Sequence, residues 1–115
     1  MSDILAIGDL VHVASRRLFP GDAHLHFAGE TTAVEGPLFR VVGYTFVYDP
    51  ASNTYFKHPD LRTRLFSVED PGRDLTLLPR RVEMKSLRYE IVEGRLMLVD
   101  GKGFSMEVAE FGGAG

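Results

Sequence analysis

Residues 24–48 read HLHFAGETTAVEGPLFRVVGYTFVY, and this stretch decides the fold. Two long runs rich in β-branched and aromatic residues, which favour strands, flank the turn residues Glu35-Gly36-Pro37. Glycine tolerates positive φ and proline restricts φ, so this tripeptide favours a reversal of the chain. The stretch therefore predicts one long antiparallel hairpin over about residues 24–48.

Each of the two runs carries a glycine near its middle, Gly29 in the first and Gly43 in the second. A glycine inside a strand marks a bulge or a sharp bend more often than a ligand contact, because it has no side chain to pack. A bend at this level would let a single hairpin contribute to both sheets of a barrel.

Outside the hairpin, apolar and polar residues alternate in short runs separated by turn residues, which is typical of further strands. These strands are expected at 8–13, 75–78, 87–91, 95–99 and 104–108, and one more opens at 54–57, is interrupted at Pro59 and resumes over 63–68. Only 82–87 has any helical character. We predict an all-β fold of seven or eight short antiparallel strands, either a closed or partly open small β-barrel of SH3-like or OB-like size or a two-sheet sandwich.

The opening Ile7-Gly8-Asp9-Leu10-Val11-His12-Val13, followed by the long bent hairpin, resembles SH3-type small barrels. The resemblance covers one strand and a turn. It implies a small barrel and no particular function, because one fold serves many functions.

The composition is that of an ordinary globular chain: 115 residues, 44% hydrophobic and 25% charged. We expect a single domain over residues 1–111 and a flexible glycine-rich tail over 112–115. The sequence has no cysteine, which excludes disulfides, thiolate zinc sites and cysteine nucleophiles.

Charge and hydropathy point to the cytoplasm, with no membrane partner. The first residues lack the basic segment of a signal peptide, and no apolar run reaches the length of a membrane span. A net charge of −3 argues against strong non-specific attraction to nucleic acid or anionic lipid.

The most conspicuous candidate surface is an aromatic stripe. Tyr44, Phe46 and Tyr48 share one face of the second run, and Thr45 and Val47 share the other. Both faces are thus largely apolar, and one of them is expected to fill the core. The other needs a cover, either another part of the chain or a partner, which favours a homo-oligomer or a protein partner.

A second hypothesis turns the same stripe into a binding platform. Aromatic rings between cations hold single-stranded nucleic acid on open barrels. Arg62 and Arg64, with Arg40 and Lys57, would supply the cations, so a nucleic-acid or anion-binding barrel is the alternative.

A third hypothesis concerns two histidines, His24 and His26, which lie two residues apart and would point to the same face of a strand. Imidazoles so placed could share a metal ion and support a metal-dependent activity. Otherwise both histidines face solvent, while Leu25 and Phe27 face the core.

Signatures of catalysis are lacking. The sequence has no Gly-x-Ser-x-Gly elbow, no phosphate-binding loop and no dinucleotide fingerprint. We therefore name no catalytic residue and expect no cofactor. The leading hypothesis is a non-enzymatic binding or assembly module that self-associates.

Overall fold

The computed structural model describes residues 5–15, 25–52 and 54–108, and these residues form an all-β fold. The strands are β1 (Leu10–Ser15), β2 (Leu25–Glu35), β3 (Leu38–Asp49), β4 (Thr54–Lys57), β5 (Arg62–Ser67), β6 (Arg73–Leu78), β7 (Arg88–Val92), β8 (Arg95–Val99) and β9 (Ser105–Glu107). The one helical element of these residues is a 3₁₀ turn, Met84–Ser86. No helix in the described part is long and apolar enough to span a membrane.

The strands form two antiparallel sheets. In the first the order is β4-β3-β2-β1-β6, with β5 also paired to β3, and in the second it is β7-β8-β9. The first sheet does not close into a barrel, because β6 at one end of it pairs with neither β4 nor β5 at the other end. The all-β prediction is confirmed, in its open, two-sheet form.

The described residues contain nine strands rather than seven or eight. The additional strand arises because Pro59 separates β4 from β5, and the two pair with different halves of β3. Residues 46–49 of β3 pair with β4, and residues 38–43 pair with β5.

The predicted hairpin is β2 and β3, paired from Glu35↔Leu38 to Leu25↔Val47. Gly29 and Gly43 lie directly opposite each other, and the two backbones approach so closely that neither position has room for a side chain. A Cβ atom on Gly43 would lie 1.9 Å from the carbonyl oxygen of Ala28. The glycines therefore serve a close backbone approach.

The buried face of β3 changes at Gly43. Before it, the odd-numbered side chains Phe39 and Val41 are buried and Leu38 is exposed. After it, the even-numbered Phe46 is buried and Val47 is exposed. Each half of the ribbon buries a different face, which explains why the sequence is apolar on both.

The two buried faces belong to two separate cores. We call the first the single-sheet core; it lies on one face of the six-stranded sheet and contains Val11, Val13, Phe27, Phe39, Val41 and Phe66. We call the second the intersheet core; it lies between the sheets and contains Leu10, Ala28, Phe46, Tyr55, Leu78, Val82, Leu87, Tyr89, Leu98, Phe104 and Val108. Since β1 and β2 contribute to both cores, they are buried on both faces along much of their length.

Candidate functional site

A buried cluster of two histidines and two tyrosines lies where the sheets meet, and we call it the His–Tyr cluster. The Tyr89 hydroxyl on β7 is 2.5 Å from Nε2 of His12 on β1 and 2.7 Å from Nδ1 of His26 on β2. The Tyr55 hydroxyl on β4 is 3.5 Å from Nε2 of His26. The cluster therefore joins three strands of the first sheet to the second sheet.

The shared hydroxyl couples the hydrogen-bonding roles of the two imidazoles. A tyrosine hydroxyl has one proton, so when Tyr89 donates to one ring nitrogen it accepts an N–H bond from the other. Burial lowers the pKa of His12 to about 4, so His12 is neutral at pH 7. Around Tyr89 the cluster is thus a hydrogen-bonded connection between the sheets with His12 in its uncharged form.

The position of the cluster argues against a catalytic role. None of its four rings is more than 6% exposed, so a substrate could reach them only if the sheets separated. The expectation that His26 faces solvent is wrong, because β2 lies between two cores and His26 enters the intersheet core while Phe27 enters the single-sheet core.

The metal hypothesis remains a prediction. His24 lies outside the described residues, and both ring nitrogens of His26 face tyrosine hydroxyls. Within the described ranges, no group of three or more histidine or acidic side chains is placed to hold a metal ion.

The aromatic stripe forms one wall of the intersheet core. Phe46 is fully buried and contacts the ring of Tyr89 edge-on at 5.0 Å between centroids. Tyr44 and Tyr48 are partly buried and pack against the same core. The second sheet and the segment before it therefore cover the stripe within one copy of the chain.

Lys57 on β4 binds the 3₁₀ turn that precedes the second sheet. Its Nζ donates to the carbonyl oxygens of Met84 at 2.8 Å and Lys85 at 2.7 Å, and lies 4.2 Å from the centroid of the Tyr44 ring. Burial lowers the pKa of Lys57. Lys57, which the sequence suggested as a cation beside the aromatic stripe, thus holds the 3₁₀ turn against β4. Sequence reasoning missed that role, because the carbonyl groups lie 27 and 28 residues away.

The structure does not bring the arginines and the aromatic stripe together. The pairs Gly43↔Arg62 and Val41↔Arg64 place both arginines on the face of the single-sheet core, opposite the face that carries the stripe. The guanidinium of Arg64 lies 5.8 Å from the centroid of the Phe27 ring. Arg40 lies on the other face and donates from Nε to the Thr32 hydroxyl at 3.0 Å.

Three described strands of the first sheet, β4, β5 and β6, pair on one side only. Of these, β4 lies next to β7 of the second sheet, whereas β5 and β6 each leave an edge free. Among the described strands, β5 pairs only with β3, and β6 pairs only with β1. A free edge presents unpaired backbone N–H and C=O groups to which another strand can add. Sequence patterns show where strands lie but not which of them end a sheet, so sequence reasoning missed both edges.

The two edges differ in chemistry. Four consecutive residues of β5, 62–65, are exposed, and two of them are the arginines Arg62 and Arg64. The exposed part of β6, residues 75–77, is uncharged and carries two leucines, Leu75 exposed by 36% and Leu77 by 53%. Both edges are candidates for binding.

Comparison with known protein families, with curated proteins and with solved structures found no match. The assignment of function therefore rests on the geometry described above.

Proposed function

We propose that the chain is a non-enzymatic assembly module that self-associates by pairing the free edge of β6 with the same edge of a second copy. The observation that carries the proposal is an edge strand with two exposed leucines and no proline, lysine or bulge to block pairing. Natural edge strands usually carry such blocking features. The hairpin itself needs no partner, since the chain covers the buried face of each half.

The sequence of β6 is complementary to itself. A two-fold axis through Thr76 would pair the strands antiparallel, with Leu75 opposite Leu77 of the second copy on one face. Arg73 and Asp74, the charged residues of the strand, would lie opposite uncharged residues, Pro79 and Leu78 of the second copy. This register buries four leucines, two from each copy, and opposes no like charges.

The pairing surface is small, which sets the expected strength. A strand of six residues buries much less area than the roughly 1,200–2,000 Å² of a stable interface. The dimer should therefore form at high concentration and dissociate on dilution.

Sedimentation velocity over a dilution series tests the proposal with a matched pair of variants. We expect a dimer at about 0.1 mM for the unchanged chain, a monomer for Leu77→Lys and a dimer for Leu65→Lys. Leu65 is 71% exposed on β5, so its variant gains the same charge on the other free edge. A strictly monomeric unchanged chain, or equal loss of dimer in both variants, would contradict the proposal.

A further inference from the structure

We propose that the free edge of β5 binds an extended segment of a different protein as an added strand, and that this segment carries acidic side chains two residues apart. The proposal concerns the edge that the self-association of β6 leaves free. It rests on two arginines that share one face of an unpaired strand edge.

The geometry of β5 suits the addition of a strand. One of its edges pairs with β3 from Leu38↔Ser67 to Gly43↔Arg62, and the other has no partner among the described strands. Arg62 and Arg64 point to one face, and Thr63 and Leu65 point to the opposite face. An added strand obtains its affinity from backbone hydrogen bonds and its specificity from alternate side chains.

Charge complementarity selects the partner. Side chains opposite each other on paired strands lie about 5 Å apart, so carboxylates at positions i and i+2 would face Arg62 and Arg64 together. The guanidinium of Arg64 has no carboxylate partner among the described residues. That of Arg62 lies 3.9 Å from Asp60, with both side chains more than half exposed, and a pair so exposed to water is easily exchanged.

A second copy of the chain cannot supply this strand. The sequence has 16 acidic residues, and no two of them lie two positions apart. Symmetric pairing of two β5 strands about Arg64 would also place Arg64 opposite itself, which is unfavourable. The partner is therefore a different protein.

Edge arginines can instead act only as guards against unwanted pairing. A guard and a binding site respond oppositely to removal of the charge. If Arg62 and Arg64 only prevent pairing, a chain without their charges would self-associate more strongly, and neither it nor the unchanged chain would bind the acidic peptide. If the two arginines form a binding site, the chain without their charges would bind the acidic peptide more weakly, and its self-association would not increase.

Fluorescence anisotropy with a labelled peptide, Thr-Val-Glu-Val-Glu-Val-Thr, tests the inference in low salt. We expect saturable binding to the full chain. Replacing both glutamates by glutamine should weaken it at least tenfold, as should moving them to three positions apart. The double variant Arg62→Gln/Arg64→Gln should lose at least tenfold in affinity. The matched variant Arg40→Gln, which removes an exposed arginine from the other face of β3, should bind like the unchanged chain.

Three results would overturn the inference. The first is no binding at about 1 mM peptide, which is the limit of weak specific recognition. The second is equal binding of the i, i+3 peptide and of a single-stranded oligonucleotide, which would indicate general attraction for polyanions. The third is increased self-association of the double variant without peptide binding by the unchanged chain, which would assign the arginines a guarding role.

The experiments on the two edges are independent. Sedimentation of Leu77→Lys tests the β6 interface alone, so a wrong proposal for one edge can be distinguished from a wrong proposal for the other.

Discussion

The single-sheet core and the intersheet core bury aromatic side chains of similar size, but they differ in polarity. The hydrophobic cluster of the single-sheet core consists of valine and phenylalanine side chains. The intersheet core surrounds two histidines and two tyrosines that hydrogen-bond to one another. An apolar core can repack with little loss, whereas a buried polar network is stable in one arrangement only. We infer that the His–Tyr cluster sets how the second sheet lies on the first.

A second buried polar group supports the same contrast. The carboxylate of Asp100 is fully buried beside the intersheet core and accepts backbone N–H bonds from Lys102 at 2.7 Å, Phe104 at 3.0 Å and Glu83 at 3.2 Å. Burial alone would raise the pKa of the Asp100 carboxyl group. The backbone hydrogen bonds lower this pKa by more than burial raises it, so the pKa lies below its ordinary value. Asp100 thus fixes the segment that precedes β7 to the loop between β8 and β9, on the side of the second sheet alone.

The largest expected effect tests whether the two cores fold as one unit. Phe39→Ala in the single-sheet core and Phe46→Ala in the intersheet core should each lower the free energy of unfolding by about 3–5 kcal/mol, because each leaves a cavity. Urea unfolding followed by far-UV and near-UV circular dichroism measures both variants. Coincident transitions are expected. If Phe46→Ala melted the second sheet while the first stayed folded, the cores would be independent.

The intersheet core should make the free energy of unfolding depend on pH, and the single-sheet core should not. The pKa of His12 is about 4 in the folded chain and 6.5 when exposed, so the unfolded state binds more protons between these pH values. The free energy of unfolding should therefore fall by about 3 kcal/mol as the pH drops from 6.5 to 4, at about 1.4 kcal/mol per pKa unit.

Urea unfolding at a series of pH values measures this slope, and two variants assign it. His12→Gln should flatten the slope, because it removes the titrating imidazole. Phe39→Leu should lower stability equally at every pH, since the single-sheet core holds no titrating member. A slope that survives His12→Gln unchanged would refute the assignment.

The smallest effect concerns the shared hydroxyl itself. Tyr89→Phe keeps the ring but deprives His12 and His26 of a hydrogen-bond partner, which should cost about 1–3 kcal/mol. Tyr55→Phe is the comparison variant, because the Tyr55 hydroxyl faces one of these imidazoles, at 3.5 Å, whereas the Tyr89 hydroxyl faces both. Thermal unfolding of the two variants decides the order, and equal losses would show that Tyr89 holds no special position.

The candidate surfaces could be predicted only in part. The all-β class, the hairpin and its glycines follow from alternation and turn residues, which are local signals. The expected meeting of Arg62 and Arg64 with Tyr44 and Phe46 does not occur, because β5 pairs with the first half of β3 in a register that places both arginines on the face opposite the stripe. No local pattern encodes which half a later strand selects.

The sequence by itself determined where the strands lie and which residues share a face, because side chains alternate with period two along any extended chain. The tertiary structure alone decided which face each segment buries, and so turned His26 inward and left Leu75 and Leu77 of β6 exposed. The physical reason is that burial depends on the sheet that packs against a strand, and that sheet is formed by residues far away in the chain.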